Sequence, residues 1–419
     1  MKKLIGILLI LSISICVCFA TGVTETNTEK TIVTFWQPYG EGSWSGDYMI
    51  EIVDEFNAAN TDIEVKLQAY PDYASIIEAL QRGVVGNQLP SIASIGYGYD
   101  RYVLNSGKAV PFNDVMATDK QEKYFSDFYD SGLDVTTFDG KVYGVPFAMS
   151  VPVVFYHSDL FEKAGLDPNN PPTTWKEFIE TSKVLNEKLD IYGAAFALDD
   201  PWAFECLLRS SNGSFLDEDG NLTINSSTAK NILSDWGEGT EEGYFLYNSN
   251  FFETLMTFGA NEVGMFVVSS YGTVIYRDSD PAIKVATLPK GNENDTLNAP
   301  IGGNAIYLFG NSDAEREAAV KFVEYLTSPE VNADWAMNSG YLPTRKSSIN
   351  YMTEFIDGFD NYKKNIDFID NLSAPTQWPE RNVLKINQKI MDAIEGVMLN
   401  TNSADAALDN AYFEINKLL

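Results

Sequence analysis

Apolar and polar positions along the chain alternate between two periods. TIVTFW (31–36) is a short apolar run that predicts a buried strand, and DYMIEIVDEFNAAN (47–60) places Ile50, Val53 and Phe56 on one helical face. IEVKLQAY (63–70), YASIIEALQRGVV (73–85) and SIASIGYG (91–98) then read as strand, helix and strand. A βαβαβ start of this kind implies a mostly parallel sheet with helices on its faces.

KVYGVPFAMSVPVVFYH (141–157) follows as two short strand-like runs broken by Pro146 and Pro152. Prolines in strands mark edges or bends, so a crossing between two lobes is expected there. Ser158 is expected to cap the helix of DLFEKAG, Gly165 to close it, and Thr174 with Glu177 to form a capping box for the next helix. SFLDEDGNLTI (214–224) predicts a hairpin turning at Asp219-Gly220. Its Asp217, Asp219 and Asn221 resemble a calcium loop in part, but the twelfth position holds Thr228 where a glutamate is needed. NEVGMFVVSSYG, AIKVATLP and APIGGNAIYLFG read as strands, the last entered through a Gly-Gly turn. DAEREAAVKFVEYLTSPEVNADWAMNSG reads as two helices, with Pro329 in the first turn of the second and Gly340 at its end.

Composition narrows the class. At 419 residues, with 45% hydrophobic, 21% charged and 13% aromatic side chains, the chain is globular and long enough for two lobes. Its first 20 residues have Lys2 and Lys3, an apolar run from Leu4 to Val17 and Ala20, the layout of a secretory signal peptide. Cleavage after Ala20 is expected; lipid modification at Cys16 or Cys18 is the alternative, disfavoured by the bulky Ile15 and Val17 before them. Either places the mature chain in the periplasm or at the cell surface. Residues 21–30 then read as a polar tether, and Cys206 is left as a single thiol with no disulfide framework. The formal net charge of −30 excludes nucleic acid and anionic lipid as partners and suits a neutral or cationic small ligand.

The chemistry of an extracytoplasmic hydrolase is not legible. His157 is the only histidine, and Ser158 and Asp159 enter a helix where successive side chains point apart, so no Ser-His-Asp triad is expected. There is no G-x-S-x-G elbow, no histidine-based zinc site and no phosphate-binding glycine loop. Asp199-Asp200 beside Trp202 could serve a glycosidase, but paired acids in so acidic a chain read first as a solvated loop. His157 reads as a surface or cap-adjacent side chain. No catalytic residue, metal site or cofactor is expected.

GVPFAMSVPVVFYHSDLFEKAGLDPNNPPTTWKEF (144–178) resembles the solute-binding proteins of ABC transporters, in the large family that captures sugars and, in one branch, glycerol phosphate compounds. The family's run reads approximately G-[IV]-P-F-x-x-S-x-P-x-[LV]-x-Y-N-x-D-L-F-x-x-A-G-L-D-P, then P-x-T-W, with His157 here in place of the asparagine. TFWQPYGEG, LPSIASIGYG, GMFVVSSYG, IGGNAIYLFG and SPEVNADWAMNSGYLPTRKS extend the likeness over almost the whole mature chain. IGGNAIYLF and GYLPTRKS are nearest to the glycerol-3-phosphate branch. The resemblance implies an α/β periplasmic-binding-protein type II fold, with two lobes about a ligand cleft. Lobe one is expected at residues 31–146 plus 287–330 and lobe two at 147–286 plus 331–419. It also implies delivery of ligand to membrane permease subunits by a protein that is monomeric and not an enzyme.

A carbohydrate cleft needs aromatic rings against the CH faces of the sugar and polar groups on its hydroxyls. Trp36, Tyr39, Tyr73 and Tyr97 leave strands or open a helix at the carboxyl end of the sheet, where such folds bind ligands. The resemblance adds Ser150, Trp202, Ser269, Ser270, Gly303, Tyr341 and Trp378. Two departures bear on ligand identity: Tyr97 stands where the glycerol-phosphate branch carries an acid, and Gln388 lies near the position of its arginine. Losing that arginine removes a fork suited to phosphate, although Arg381 could compensate. The expected ligand is therefore a neutral sugar, an oligosaccharide or glycoside. Glycerol-3-phosphate or a glycerophosphodiester is the second reading, and a secreted glycosidase the third.

Overall fold

A computed structural model describes residues 30–277, 280–378 and 382–419. The expected leader and most of the tether lie outside these residues. Strand β1, Thr31–Gln37, buries Val33, Phe35 and Gln37 in alternation. The helix after it, Trp44–Ala59, starts three residues before Asp47 because the Ser43 side chain accepts the Gly46 N–H. Its packed face is Met49, Ile52, Val53 and Phe56, which follows the helical period. Strand β2, Ile63–Ala69, runs parallel to the full length of β1. The second helix, Tyr73–Gly86, is capped by Asp72, whose carboxylate accepts the Ser75 N–H at 2.7 Å. It leads to β3, Ile92–Gly96, which is buried along its whole length. The predicted βαβαβ unit is present.

Strand β4, Gly144–Ser150, follows at the edge of this first sheet. Strands β5 (Pro152–His157), β6 (Tyr192–Phe196), β7 (Phe245–Leu246), β8 (Val263–Ser269) and β9 (Ile283–Thr287) build the second sheet in the order β9-β5-β8-β6-β7. The chain then returns to the first sheet as β10, Gly302–Leu308, antiparallel to both β3 and β4, which completes the order β2-β1-β3-β10-β4. Both prolines sit where a missing N–H is tolerated, Pro146 on an edge strand and Pro152 at the first residue of β5. No helix among the described residues is long and apolar enough to cross a membrane.

Three local expectations are corrected. The chain changes sheets at Val151, later than the 146/147 boundary, and Ser270 pins the crossing: its Oγ accepts the Val151 N–H at 3.1 Å and its N–H donates to the Val151 carbonyl at 2.8 Å. Ser158 does not cap its helix. It is the first helical residue, and its Oγ donates to the Ala282 carbonyl at 2.7 Å. Gly302 and Gly303 form no turn but lie within β10, where Gly303 takes a φ of +105°. By contrast, Thr174 and Glu177 close a full capping box, and Gly340 ends the Pro329–Ser339 helix in the left-handed region. Asp217 spends its carboxylate on the N–H groups of Asp219 and Asn221, in keeping with a hairpin.

Residues 331–345, expected in the second lobe, are fastened to the first. Trp335 is fully buried there, stacked on Phe147 with ring centroids 4.9 Å apart, and Thr344 donates to the Pro146 carbonyl at 3.1 Å. The Arg345 guanidinium lies 4.4 Å over the rings of both Tyr124 and Phe128 and pairs with Asp127 at 3.1 Å.

Candidate functional site

Strands β1 and β3 on one lobe, and β6 and β8 on the other, turn their carboxyl ends toward the space between the sheets, and the loops that leave them carry the site. Tyr39 follows β1 and Tyr73 opens the second helix. Both hydroxyls accept from the Asn304 amide Nδ2 of β10, at 2.6 and 2.9 Å. Gly96 at the end of β3 makes room for the Tyr73 ring: a Cβ there would lie 2.8 Å from it. The Tyr73 and Tyr341 hydroxyls are 3.3 Å apart. The Tyr341 ring in turn lies 4.5 Å from that of Tyr271, which follows β8 on the second lobe. Tyr271 stacks on Trp44 and shares a 2.8 Å hydrogen bond with Ser45, both at the start of the first long helix. The rings thus bridge the two lobes.

Past the end of β6, Asp199 and Asp200 precede the helix Trp202–Ser210, and the Trp202 N–H donates to Asp200 Oδ1 at 2.8 Å. The Trp202 ring lies on Gly302, where a Cβ would come within 2.9 Å of the indole and 2.4 Å of Ser150 Oγ. Ser150, Gly302 and Trp202 therefore meet because one of them has no side chain. The side chains of Asp199 and Asp200 are exposed, and neighbouring protein atoms limit their hydration. Restricted hydration pushes both above the usual aspartate range, with the Asp199 charge adding to Asp200 and that of Asp72, from the opposite lobe, adding to both. Burial and the nearby Asp200 likewise raise the Tyr99 hydroxyl. Tyr99 accepts from Asn387 at 3.4 Å, and Gln377 donates to Asp100 at 3.3 Å.

Of the residues read from sequence, the fold gathers Tyr39, Tyr73 and Tyr341 in one cluster and Ser150 and Trp202 in another beside Gly303. Ser269 accepts the Tyr271 N–H at 3.2 Å and so shapes the turn that delivers that ring. Ser270 is committed to the crossing. Trp36 packs on Tyr70 with centroids 5.3 Å apart. Tyr97 is buried with its hydroxyl toward Gly132, and Trp378 stacks on Phe215 at 6.1 Å. Arg381 lies outside the described residues. His157, expected as a surface or cap-adjacent side chain, stands at the N-cap position of its helix but is fully buried: Nε2 is 2.8 Å from the Phe258 carbonyl and its ring packs on Phe258. Burial holds it below its ordinary value, so it sits neutral in the core.

Sequence reasoning missed Trp44, Tyr271, Asn304 and Asp72. Asn304 alone carried a signal: a single amide inside the apolar run of β10 must find partners wherever the strand is buried.

Two α/β lobes about such a cleft define the type II periplasmic-binding architecture, the fold of solute-binding proteins that serve ABC importers. A family model for bacterial extracellular solute-binding proteins matches residues 51–367, and the chain belongs to that family. Its work is therefore extracytoplasmic. The chain is 26% identical over 412 residues to the sn-glycerol-3-phosphate-binding periplasmic protein UgpB of Escherichia coli strain K12, covering 93% of this chain and 92% of that one. Solved structures share the fold. An ABC substrate-binding protein from Listeria monocytogenes in complex with cycloalternan superposes with a TM-score of 0.81 at 22% identity, over 93% of this chain and 99% of that one. UgpB from Mycobacterium tuberculosis in complex with glycerophosphocholine gives 0.79 at 21%, over 92% and 98%.

Proposed function

We propose that this protein captures a neutral sugar, an oligosaccharide or glycoside, in the interlobe cleft and hands it to the permease subunits of an ABC importer. The observation that carries the reading is the polarity of the cleft. Tyrosine hydroxyls line it at Tyr73 and Tyr341, and the carboxylates Asp199 and Asp200 approach from the other lobe, facing Asp72. Each sugar hydroxyl both donates and accepts, so a polyhydroxylated ligand can use both, with Trp202 available for a ring face. A phosphate meets carboxylates there instead. Arg209 offers it no fork, because Glu205 binds that guanidinium at 2.9 Å.

On this reading the protein is not an enzyme. Asp200 holds the Trp202 N–H and acts as a ligand acceptor, and the chain works as a monomer exported by cleavage after Ala20, or anchored through Cys16 or Cys18. Glycerol-3-phosphate or a glycerophosphodiester is the second reading, favoured by the name of the 26%-identical relative.

Thermal shift against maltose, cycloalternan, glycerol-3-phosphate and glycerophosphocholine separates the two. A ligand at a hundredfold its Kd adds about 2.7 kcal/mol of stability. Stabilisation by a saccharide is expected. Stabilisation by the phosphate compounds alone would overturn the sugar reading, and turnover of a glycoside lost in Asp200→Asn would overturn the binding-protein reading.

A further inference from the structure

Asn304 is fully buried, and its Nδ2 lies within hydrogen-bond distance of two tyrosine hydroxyls, Tyr39 at 2.6 Å and Tyr73 at 2.9 Å. Its Oδ1 has no partner among the described residues. The orientation of the amide follows from counting donors. With nitrogen toward the tyrosines, both N–H groups are used and one acceptor is orphaned. Turned over, the oxygen would accept from both hydroxyls and two buried N–H groups would be left without partners. Orphaned N–H groups are the rarer and costlier defect, so the first arrangement holds.

Each hydroxyl that accepts from Asn304 must direct its own proton elsewhere. Tyr39, enclosed on all sides, has the Tyr73 hydroxyl as its other neighbour and donates to it, so for the half-buried Tyr73 the remaining directions are Tyr341, 3.3 Å away, and the cleft. We infer that Asn304 is a positioning residue that fixes Tyr73 as a hydrogen-bond donor toward the cleft, so that the first lobe selects for an acceptor oxygen on the ligand. The inference rests on the cleft being the ligand site, and it adds a polarity rule to that reading: a hydroxyl, ether or phosphoryl oxygen fits against Tyr73, and an ammonium does not.

The test is a double-mutant cycle by titration calorimetry, using whichever of maltose, cycloalternan, glycerol-3-phosphate and glycerophosphocholine stabilises the wild type. Tyr73→Phe is expected to weaken binding about tenfold, the scale of one hydrogen bond in a dry site. Asn304→Asp, which can only accept, turns the Tyr73 proton inward and should cost at least as much; in that background Tyr73→Phe should cost less than about twofold more. Asn304→Ala, which places no charge in the core, repeats the cycle if the aspartate variant fails to fold. Equal cost of Tyr73→Phe in all backgrounds would overturn the inference.

A second measurement needs no ligand. In the free protein the Asn304 Nδ2 protons, assigned by their loss in Asn304→Ala, should be protected from solvent exchange and show cross-peaks to the rings of Tyr39 and Tyr73. Rapid exchange or missing cross-peaks would overturn it. A wild type bound only by the phosphate compounds would end the sugar reading and leave the cycle to be run on them.

Discussion

Trp44 stacks on Tyr271 with centroids 4.9 Å apart and planes 29° from parallel, so a residue that opens the first long helix rests on one that follows the second sheet. Ser45 adds a 2.8 Å hydrogen bond to the same tyrosine. These contacts join the lobes directly. Removing the hydroxyl with Tyr271→Phe should release about 1 kcal/mol of lobe closure, enough to shift the open population severalfold. Small-angle scattering of the ligand-free protein should report a larger radius of gyration; an unchanged radius counts against the contact as a latch.

Gly303 is a backbone requirement of the site. Its φ is +105°, and a Cβ would lie 2.2 Å from the Ala148 carbonyl oxygen. Gly303→Ala should therefore cost about 2 kcal/mol or more of stability, read as a lower midpoint in denaturant, and should loosen the contact of Ser150 and Trp202 across Gly302. A stability equal to wild type would refute the strain.

His157 gives a pH signature. Burial lowers its proton affinity in the folded protein, so below its ordinary value of 6.5 the unfolded chain takes up a proton that the folded chain does not. Stability should fall with pH over that window. His157→Asn has no proton to take up, and its loss of stability on acidification should be shallower in thermal melts between pH 5 and pH 7.

Asp199 and Asp200 carry the opposite sign. Both are raised, chiefly by the restricted hydration that surrounding protein imposes, so the folded protein holds protons that the unfolded chain has given up. Their contribution is complete below the ordinary 3.8 and is lost as pH rises toward neutral. Asp200→Asn removes a titration that the Asp199 charge helps to raise, so the ligand-free variant should lose less stability between pH 4 and pH 7. An identical profile would show that Asp200 titrates as an ordinary carboxyl in the folded protein.

Much of the fold was legible because its signals are local. The βαβαβ start, the Thr174–Glu177 box and the helix between Pro329 and Gly340 depend on neighbours within a few residues. What failed depends on distant ones. Ser158 looks like a cap until the Ala282 carbonyl competes for its hydroxyl. Trp335 reads as an ordinary helical residue until Phe147 and Tyr39 of the first lobe surround it. The site divides in the same way. Tyr39 and Tyr73 were readable as rings at strand and helix ends and Tyr341 through the family resemblance, whereas Asn304 and Tyr271 acquire their parts only through partners some two hundred residues or more away.

Strand β10 lies between β3 and β4, yet it is made after every strand of the second sheet. A chain emerging from its N-terminus cannot finish the first sheet until residue 308 has appeared, by which point nearly three-quarters of it has been synthesised. The late strand keeps the early half of the molecule open-edged while the chain is still growing.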